Sequence, residues 1–183
     1  MKFPQTFPLL STERLLLREL VPSDKDVIFD ILKDSLVTKY YDTPTFTRMS
    51  QAEKLLDMWM NVFPKKKGIR WGIVLKDTNT LIGTCGFCKV HKKWSVGEIG
   101  YVIARPYWNK GYVSECIQAM LAYGFNAMEC NRIEAWTMKG NDASDHVLMK
   151  NGFQKEGSLR ESQIWNGVVR DVVMFGILRR EYI

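Results

Sequence analysis

A segment of strand type, Glu98-Ile99-Gly100-Tyr101-Val102-Ile103, runs into a short loop, Tyr107-Trp108-Asn109-Lys110-Gly111, and then into a helical pattern that reaches about Met128. Nothing else in the chain limits its fold as much. A helix that starts directly after a strand and a tight loop presents its first N–H groups unpaired, with the positive end of its dipole behind them. An anion such as a pyrophosphate suits that place. Lys110 brings a formal charge, and Gly111 removes the Cβ that would hold a ligand off the backbone. A tight turn without a ligand would look the same. The loop has neither a Gly-Lys-Ser/Thr ending nor three spaced glycines, so it is not one of the familiar nucleotide fingerprints.

Around this segment the pattern alternates strands and helices. Residues 15–20 form a first strand. Pro22-Ser23-Asp24 opens a helix, with Ser23 as the expected cap and Val27, Ile28, Ile31 and Leu32 as its apolar stripe. A turn-rich stretch, Asp42-Thr43-Pro44-Thr45, precedes a second helix that starts near Ser50, presents Leu55, Leu56, Trp59 and Met60, and ends before Pro64. Strands are expected at residues 71–75, 81–90 and 96–103, a helix at 112–128, and a strand at 132–138. A helix from Asn141 stops at Gly152, and two strands, 154–164 and 168–178, meet at an Asn166-Gly167 turn. The predicted order is β-α-α-β-β-β-α-β-α-β-β. This makes an α/β fold, a mixed and mostly antiparallel sheet flanked by helices.

At 183 residues with 46% hydrophobic side chains, the chain is read as one folded domain, 1–183. No apolar run approaches the roughly 18 residues of a membrane span. The opening Met1-Lys2-Phe3-Pro4-Gln5 does not resemble a signal peptide, so a cytoplasmic location is the expectation. The net charge of +6 comes partly from Lys65-Lys66-Lys67 and from Lys89, Lys92 and Lys93. These are solvated loop tips or an attraction for an acidic partner. No nucleic-acid motif accompanies them, and nucleic acid is not an expected partner. Cys85 and Cys88 are spaced C-x-x-C but fall on a strand, where residues three apart face opposite ways. With no second ligand pair, no metal is expected, and the four cysteines are read as buried free thiols.

Four motifs in order resemble the GNAT N-acetyltransferase superfamily, in the branch that holds ribosomal-protein-alanine N-terminal acetyltransferases. They are Thr12-Glu13-Arg14-Leu15-Leu16-Leu17-Arg18; the loop Trp108-Asn109-Lys110-Gly111-Tyr112-Val113; Asn141-Asp142-Ala143-Ser144 with Lys150-Asn151-Gly152-Phe153; and Asn166-Gly167 with Arg170-Asp171-Val172. The loop departs from the family's Arg/Gln-x-x-Gly-x-Gly/Ala at both ends, with Trp108 and Val113. The predicted element order is the GNAT order.

The resemblance implies acetyl-CoA as co-substrate and direct acetyl transfer to a primary amine, such as the N-terminal α-amine of a ribosomal protein. Alternatives are a polyamine or antibiotic acceptor, or a module that binds acyl-CoA without transfer. It implies that Asn109, Lys110, Gly111, Tyr112 and Val113 hold the pyrophosphate. Tyr101, Val102 and Ile103 would pair with the pantetheine arm, as would Asn141, which an N-cap role explains as well. Glu98 is the leading base, or else a salt-bridged carboxylate; Glu161 is a second candidate. The family's acid, a tyrosine, is replaced here by Leu148, so Ser144 is the substitute donor or simply a helix residue. Tyr40, Tyr41 and Phe46 lie near the expected acceptor region, as core or as contacts. His146 is read as a helix-surface residue. The chain is taken as a monomer or a homodimer joined through its last strands.

Overall fold

The computed structural model describes residues 1–165 and 167–182, so Asn166 of the expected closing turn lies outside the described residues. Short β1 (Leu10–Ser11) and β2 (Leu15–Glu19) lead to helices α1 (Lys25–Leu32), α2 (Ser35–Thr38) and α3 (Met49–Met60). Then come β3 (Ile69–Leu75), β4 (Thr80–His91), β5 (Val96–Ile103), α4 (Tyr112–Ala122), β6 (Arg132–Met138), α5 (Asp142–Lys150), β7 (Gln154–Trp165) and β8 (Val168–Leu178). The expected order holds with two additions, β1 and the single turn α2. Neither is long enough to leave a periodic signal.

One eight-stranded sheet results, in the order β1-β2-β3-β4-β5-β6-β8-β7. Among the described residues, only β5 and β6 run parallel. Strand β3 is buried along its whole length because both faces are covered, which is why it reads as a nearly unbroken apolar run. One core lies between the sheet and α4 and α5, with Leu17, Trp71, Phe87, Met120, Phe125 and Phe175 at its centre. The other lies between the sheet and α1–α3, with Leu20, Ile28, Leu32, Leu56, Trp59 and Val102. Each fully buried large side chain contributes about 1.5–3 kcal/mol of transfer free energy. Strand β7 is the opposite case: an edge strand, exposed from Gln154 to Ile164 and rich in charge, as edges that avoid pairing tend to be.

Three local expectations change. Ser23 does not cap α1. The Asp24 carboxylate does the local work instead, accepting from the Val21 N–H at 2.8 Å and from Arg18 at 2.8 Å, and the chain makes a 3₁₀ turn before α1. The helix expected over 112–128 is α-helical only to Ala122, then widens into a π turn over Tyr123–Ala127. Gly124 sits in that turn, where a Cβ would lie 2.6 Å from Ile133 Cδ1 and 2.8 Å from Phe87 Cζ, so the helix backbone rests directly on the sheet. Finally, Cys85, Cys116 and Cys130 are buried, but Cys88 is exposed. Strand alternation puts Cys88 on the face opposite Cys85, which packs in the first core, and Cys88 is the residue left unpaired where the β4–β5 register slips between Phe87 and Lys89. Among the described residues no group of side chains could hold a metal ion, and no helix is long and apolar enough to cross a membrane.

The sheet's most consequential feature is where it stops being continuous. Strands β5 and β6 pair only at Val96–Arg132, Gly97–Ile133 and Glu98–Glu134. Beyond Glu98, β5 pairs only with β4, and beyond Glu134, β6 pairs only with β8. The two halves of the sheet part in a wedge. The bulge at Cys88 lies opposite Glu98 and Ile99, where the parting begins, and a bulge bends and twists its strand.

Candidate active site

The wedge opens into a cavity of about 570 Å³ that draws its walls from both cores. From the α5 side come Tyr101, Asn141, Ser144 and Leu148; from the α3 side come Tyr40, Tyr41, Asp42, Trp59, Lys67, Arg70 and Cys88; Glu98, Lys89, Trp136 and Trp165 are also in its lining. Of the aromatics weighed from sequence, Tyr40 and Tyr41 line the cavity, whereas Phe46 is 5% exposed in the second core.

Glu98 stands at the apex. Its carboxylate is nearly buried, with Oε1 accepting from Trp136 Nε1 at 3.1 Å and Oε2 from Lys89 Nζ at 3.2 Å. Glu98 is salt-bridged, as one of the two readings has it, and it also faces the cavity. Two fixed donors orient the carboxylate, which leaves its remaining lone pairs for a proton held by an incoming group or a water.

Tyr101 contributes more than a strand edge. Its phenol is buried without a hydrogen bond of ordinary geometry, and burial pushes its pKa up to about 12, with the neighbouring Ser144 hydroxyl pulling the other way. The phenol thus keeps its proton at neutral and moderately alkaline pH. Sequence reasoning placed Tyr101 here for its backbone and missed the hydroxyl. Half of the signal lies in the sequence, since Leu148 occupies the position where the family keeps a tyrosine; that Tyr101 lines the same side of the cavity is visible only in the fold. Ser144 lies in the first turn of α5, and its N–H donates to Asn141 Oδ1 at 3.4 Å, so Asn141 does cap the helix. Thr137 ties α5 to β6 through Asp145 at 2.6 Å.

The ladder also refines the strand edge. Ala104 N–H donates across to Ile82 O on β4 at 2.8 Å. Alternate residues of an antiparallel strand direct their N–H and C=O to the same neighbour. Val102 and Gly100 therefore turn their backbone groups toward β4, and Tyr101 and Ile103 turn theirs toward the wedge. Trp108 Nε1 already donates to Ile103 O at 2.9 Å, which explains the tryptophan at the start of the loop motif. Val102 packs in the second core, away from the arm it was expected to meet.

After Trp108 the loop turns twice through left-handed geometry, Asn109 at φ 58° and Gly111 at φ 80°, before α4 starts at Tyr112. Among the described residues no backbone hydrogen bond engages the N–H groups of Asn109, Lys110 or Gly111, and those of Tyr112 and Val113 are first-turn donors without intrahelical partners. The loop is braced from the N-terminal segment. Arg14 Nη1 donates to Lys110 O at 3.0 Å, its guanidinium lies 4.5 Å from the Tyr112 ring centroid, and Arg14 Nε and Nη2 both reach Glu115 at 2.8 Å. Burial opposes the ionised form of Glu115, but hydrogen bonds from Thr12 and Arg14 outweigh it and hold the carboxyl below its usual pKa. A run of free donors, a cation and a glycine that admits a close backbone approach fit the pyrophosphate of a CoA thioester.

Two remaining candidates are not brought to the cavity. Glu161 is exposed on an irregular stretch of β7, its N–H held by Asp171 at 2.9 Å, and His146 is exposed on α5 as expected.

A wedge between parallel strands, a donor-rich loop at the end of one of them and an oriented carboxylate at the apex define an acyl-CoA-dependent acyltransferase. Residues 14–154 match the family model described as an acetyltransferase (GNAT) domain, and the chain belongs to this family. It is 39% identical over 173 residues to the uncharacterized N-acetyltransferase YoaA of Bacillus subtilis, covering 94% of this chain and 98% of that one. Among solved structures, a GNAT-family acetyltransferase from Bacillus anthracis superposes with a TM-score of 0.84 at 29% identity, covering 94% of this chain and 99% of its own. RimL, a ribosomal L7/L12 α-N-protein acetyltransferase in complex with coenzyme A, gives a TM-score of 0.83 at 20% identity, covering 93% of this chain and 98% of that one, a likeness of fold. Membership makes this chain an acetyltransferase with acetyl-CoA as its co-substrate.

Proposed function

We propose that the protein acetylates an α-amine, that of a protein N-terminus or of a small molecule of similar basicity. The observation that carries this reading is Glu98, an oriented carboxylate at the apex of the wedge, with two hydroxyls, Ser144 and Tyr101, on the opposite wall. Acetyl-CoA supplies an activated thioester carbonyl. The acceptor nitrogen must be neutral to attack it, and Glu98 takes that proton, directly or through one water. An α-amine, with a pKa of about 7.7–8.0, asks much less of a carboxylate than a lysine at about 10.4. As the carbon–sulfur bond breaks, the sulfur gains negative charge, and Ser144 or Tyr101 donates the proton that it needs. In this reading the wedge-facing N–H of Tyr101 polarises the carbonyl.

The ribosomal-protein form of this reading draws support from the four sequence motifs and from the fold shared with RimL. The test is mass-spectrometric detection of acetyl transfer to peptides with free Ala, Ser or Met N-termini, an N-blocked lysine peptide, spermidine and an aminoglycoside. Labelling confined to free N-termini is the expected result. Preferential labelling of spermidine or of the lysine peptide would overturn the α-amine reading and leave the enzyme class intact.

A further inference from the structure

We propose that the acceptor carries a carboxylate close to its amine, and that Arg70 is the residue that binds it. The inference rests on the acetyltransferase reading and concerns the acceptor half of the same cavity.

Arg70 lies on β3 between Ile69 and Trp71 and is 6% exposed. Its guanidinium is held on several sides by neutral groups. Nε and Nη2 donate to Thr84 Oγ1 at 3.0 and 2.7 Å, Nη2 also donates to Tyr41 Oη at 2.8 Å, and Nη1 meets Cys88 Sγ at 3.6 Å. The Trp59 ring stacks 4.5 Å away. Among the described residues no carboxylate comes within 4 Å of it, although Arg14, Arg18, Arg105 and Arg132 all form ion pairs. A guanidinium does not lose its proton in a protein. A buried and unpaired charge is costly, and a ligand that supplied the counter-charge would offset that cost.

The geometry shows where the counter-charge would sit. Arg70 lines the cavity, and Nη1 lies 3.9 Å from the point a Cβ would occupy on Gly100. Cys88 Sγ lies 2.8 Å from that same point, so the missing side chain at Gly100 makes room for the thiol, and the guanidinium lines the cavity beside it. Nη1 has two N–H groups and only the weak thiol contact uses one. The other charged groups of the cavity agree. Lys67, Arg70 and Lys89 face Asp42 and Glu98, and Lys89 is already engaged with Glu98. The cavity is therefore better suited to an anionic amine than to a polyamine. A guanidinium buried solely to join Thr84 to Tyr41 would not need a position on the cavity wall.

Two sources offer an amine with a nearby carboxylate: a free α-amino acid, and a peptide N-terminus followed by an acidic residue. The experiment compares free amino acids with their carboxamides, and Ala-Asp and Ala-Glu peptides with Ala-Asn and Ala-Gln peptides, all C-terminally amidated. Both kcat/KM and calorimetric binding to the CoA-loaded protein are measured, so that the result does not depend on turnover. The acid should exceed its amide by at least about tenfold, which is the scale of a charge-assisted hydrogen bond. Whichever pair shows the preference identifies the source. In Arg70→Gln the preference should fall toward one while affinity for CoA holds; Arg70→Lys, which keeps the charge without the planar fork, should retain part of it. Equal handling of acids and amides by the unmodified protein overturns the inference without requiring any variant, and leaves the acetyltransferase reading standing. A preference that survives in Arg70→Gln overturns the role of Arg70. Transfer to none of these amines, together with acid-selective binding, would uphold the anion site and count against the α-amine reading instead.

Discussion

At the scale of single residues, the proton has a place to leave from and a place to arrive. Glu98→Gln keeps the shape and one of the two hydrogen bonds but cannot accept a proton, so kcat/KM for the acceptor should fall by roughly 10²–10⁴, with the KM for acetyl-CoA nearly unchanged. A matching loss in both would mean that Glu98 holds the site together and takes no proton. The two hydroxyls make a sharper case. Ser144→Ala and Tyr101→Phe should each lower kcat, by about tenfold or more, and leave CoA affinity intact. If Tyr101 serves as donor once Ser144 is gone, kcat of Ser144→Ala should show no falling limb near pH 10. That is where an ordinary phenol would lose its proton, whereas burial raises this one to about 12. A fall near pH 10 would remove Tyr101 from the role. Glu98, Ser144 and Asn141 were legible from motif and position alone. Arg70 was not, because a lone arginine beside Trp71 in an apolar strand carries no motif, and its meaning depends on partners 14 and 29 residues away.

At the scale of elements, the loop and the start of α4 work as one unit with the N-terminal segment. The sequence reading found the loop and the Thr12–Arg18 stretch separately, and nothing in their spacing says that Thr12 and Arg14 clasp Glu115 across about a hundred residues. Because the folded-state pKa of Glu115 is lowered, the stability that the clasp contributes is complete above the unfolded value of 4.5 and is lost as pH falls below it. With Arg14 half exposed, solvent screening limits the effect to about 1 kcal/mol. Melting curves of the wild type and Glu115→Gln should therefore differ at neutral pH and converge as the pH falls below 4.5. A constant gap would mean that the carboxylate's charge plays no part. Gly111→Glu tests the same unit from the ligand side. The substitution forces an L-residue into φ 80°, a strain of about 1–2 kcal/mol, and puts a negative charge where the pyrophosphate should lie. Calorimetry should find CoA binding lost while the fold survives; unchanged affinity would remove the loop from the site.

At the scale of the whole molecule, element order was readable because each strand and helix carries its own hydrophobic period. The wedge was not, since it depends on where a parallel pairing stops, and no local pattern encodes that. Only three residue pairs join β5 to β6, and Gly97 is the middle one. A Cβ on Gly97 would come within 2.8 Å of Phe87 Cδ1 and 2.9 Å of Cε1, and Phe87 is fully buried against Trp71 and cannot swing away. Gly97→Ala should therefore push the two halves of the sheet apart at the seam that sets the wedge angle. Overpacking of this kind costs about 1–3 kcal/mol, and here it should also raise the KM for acetyl-CoA, although Gly97 does not line the cavity. Destabilisation alone can raise KM, so the comparison is with Ile28→Ala. Ile28 is buried in the second core on α1, and its truncation should cost about 2–5 kcal/mol. If Ile28→Ala lowers Tm at least as much yet binds acetyl-CoA normally, while Gly97→Ala does not, the seam sets the geometry of the site. If both variants bind acetyl-CoA normally, the wedge angle is fixed by packing on either side of it, and the three paired residues only close the sheet.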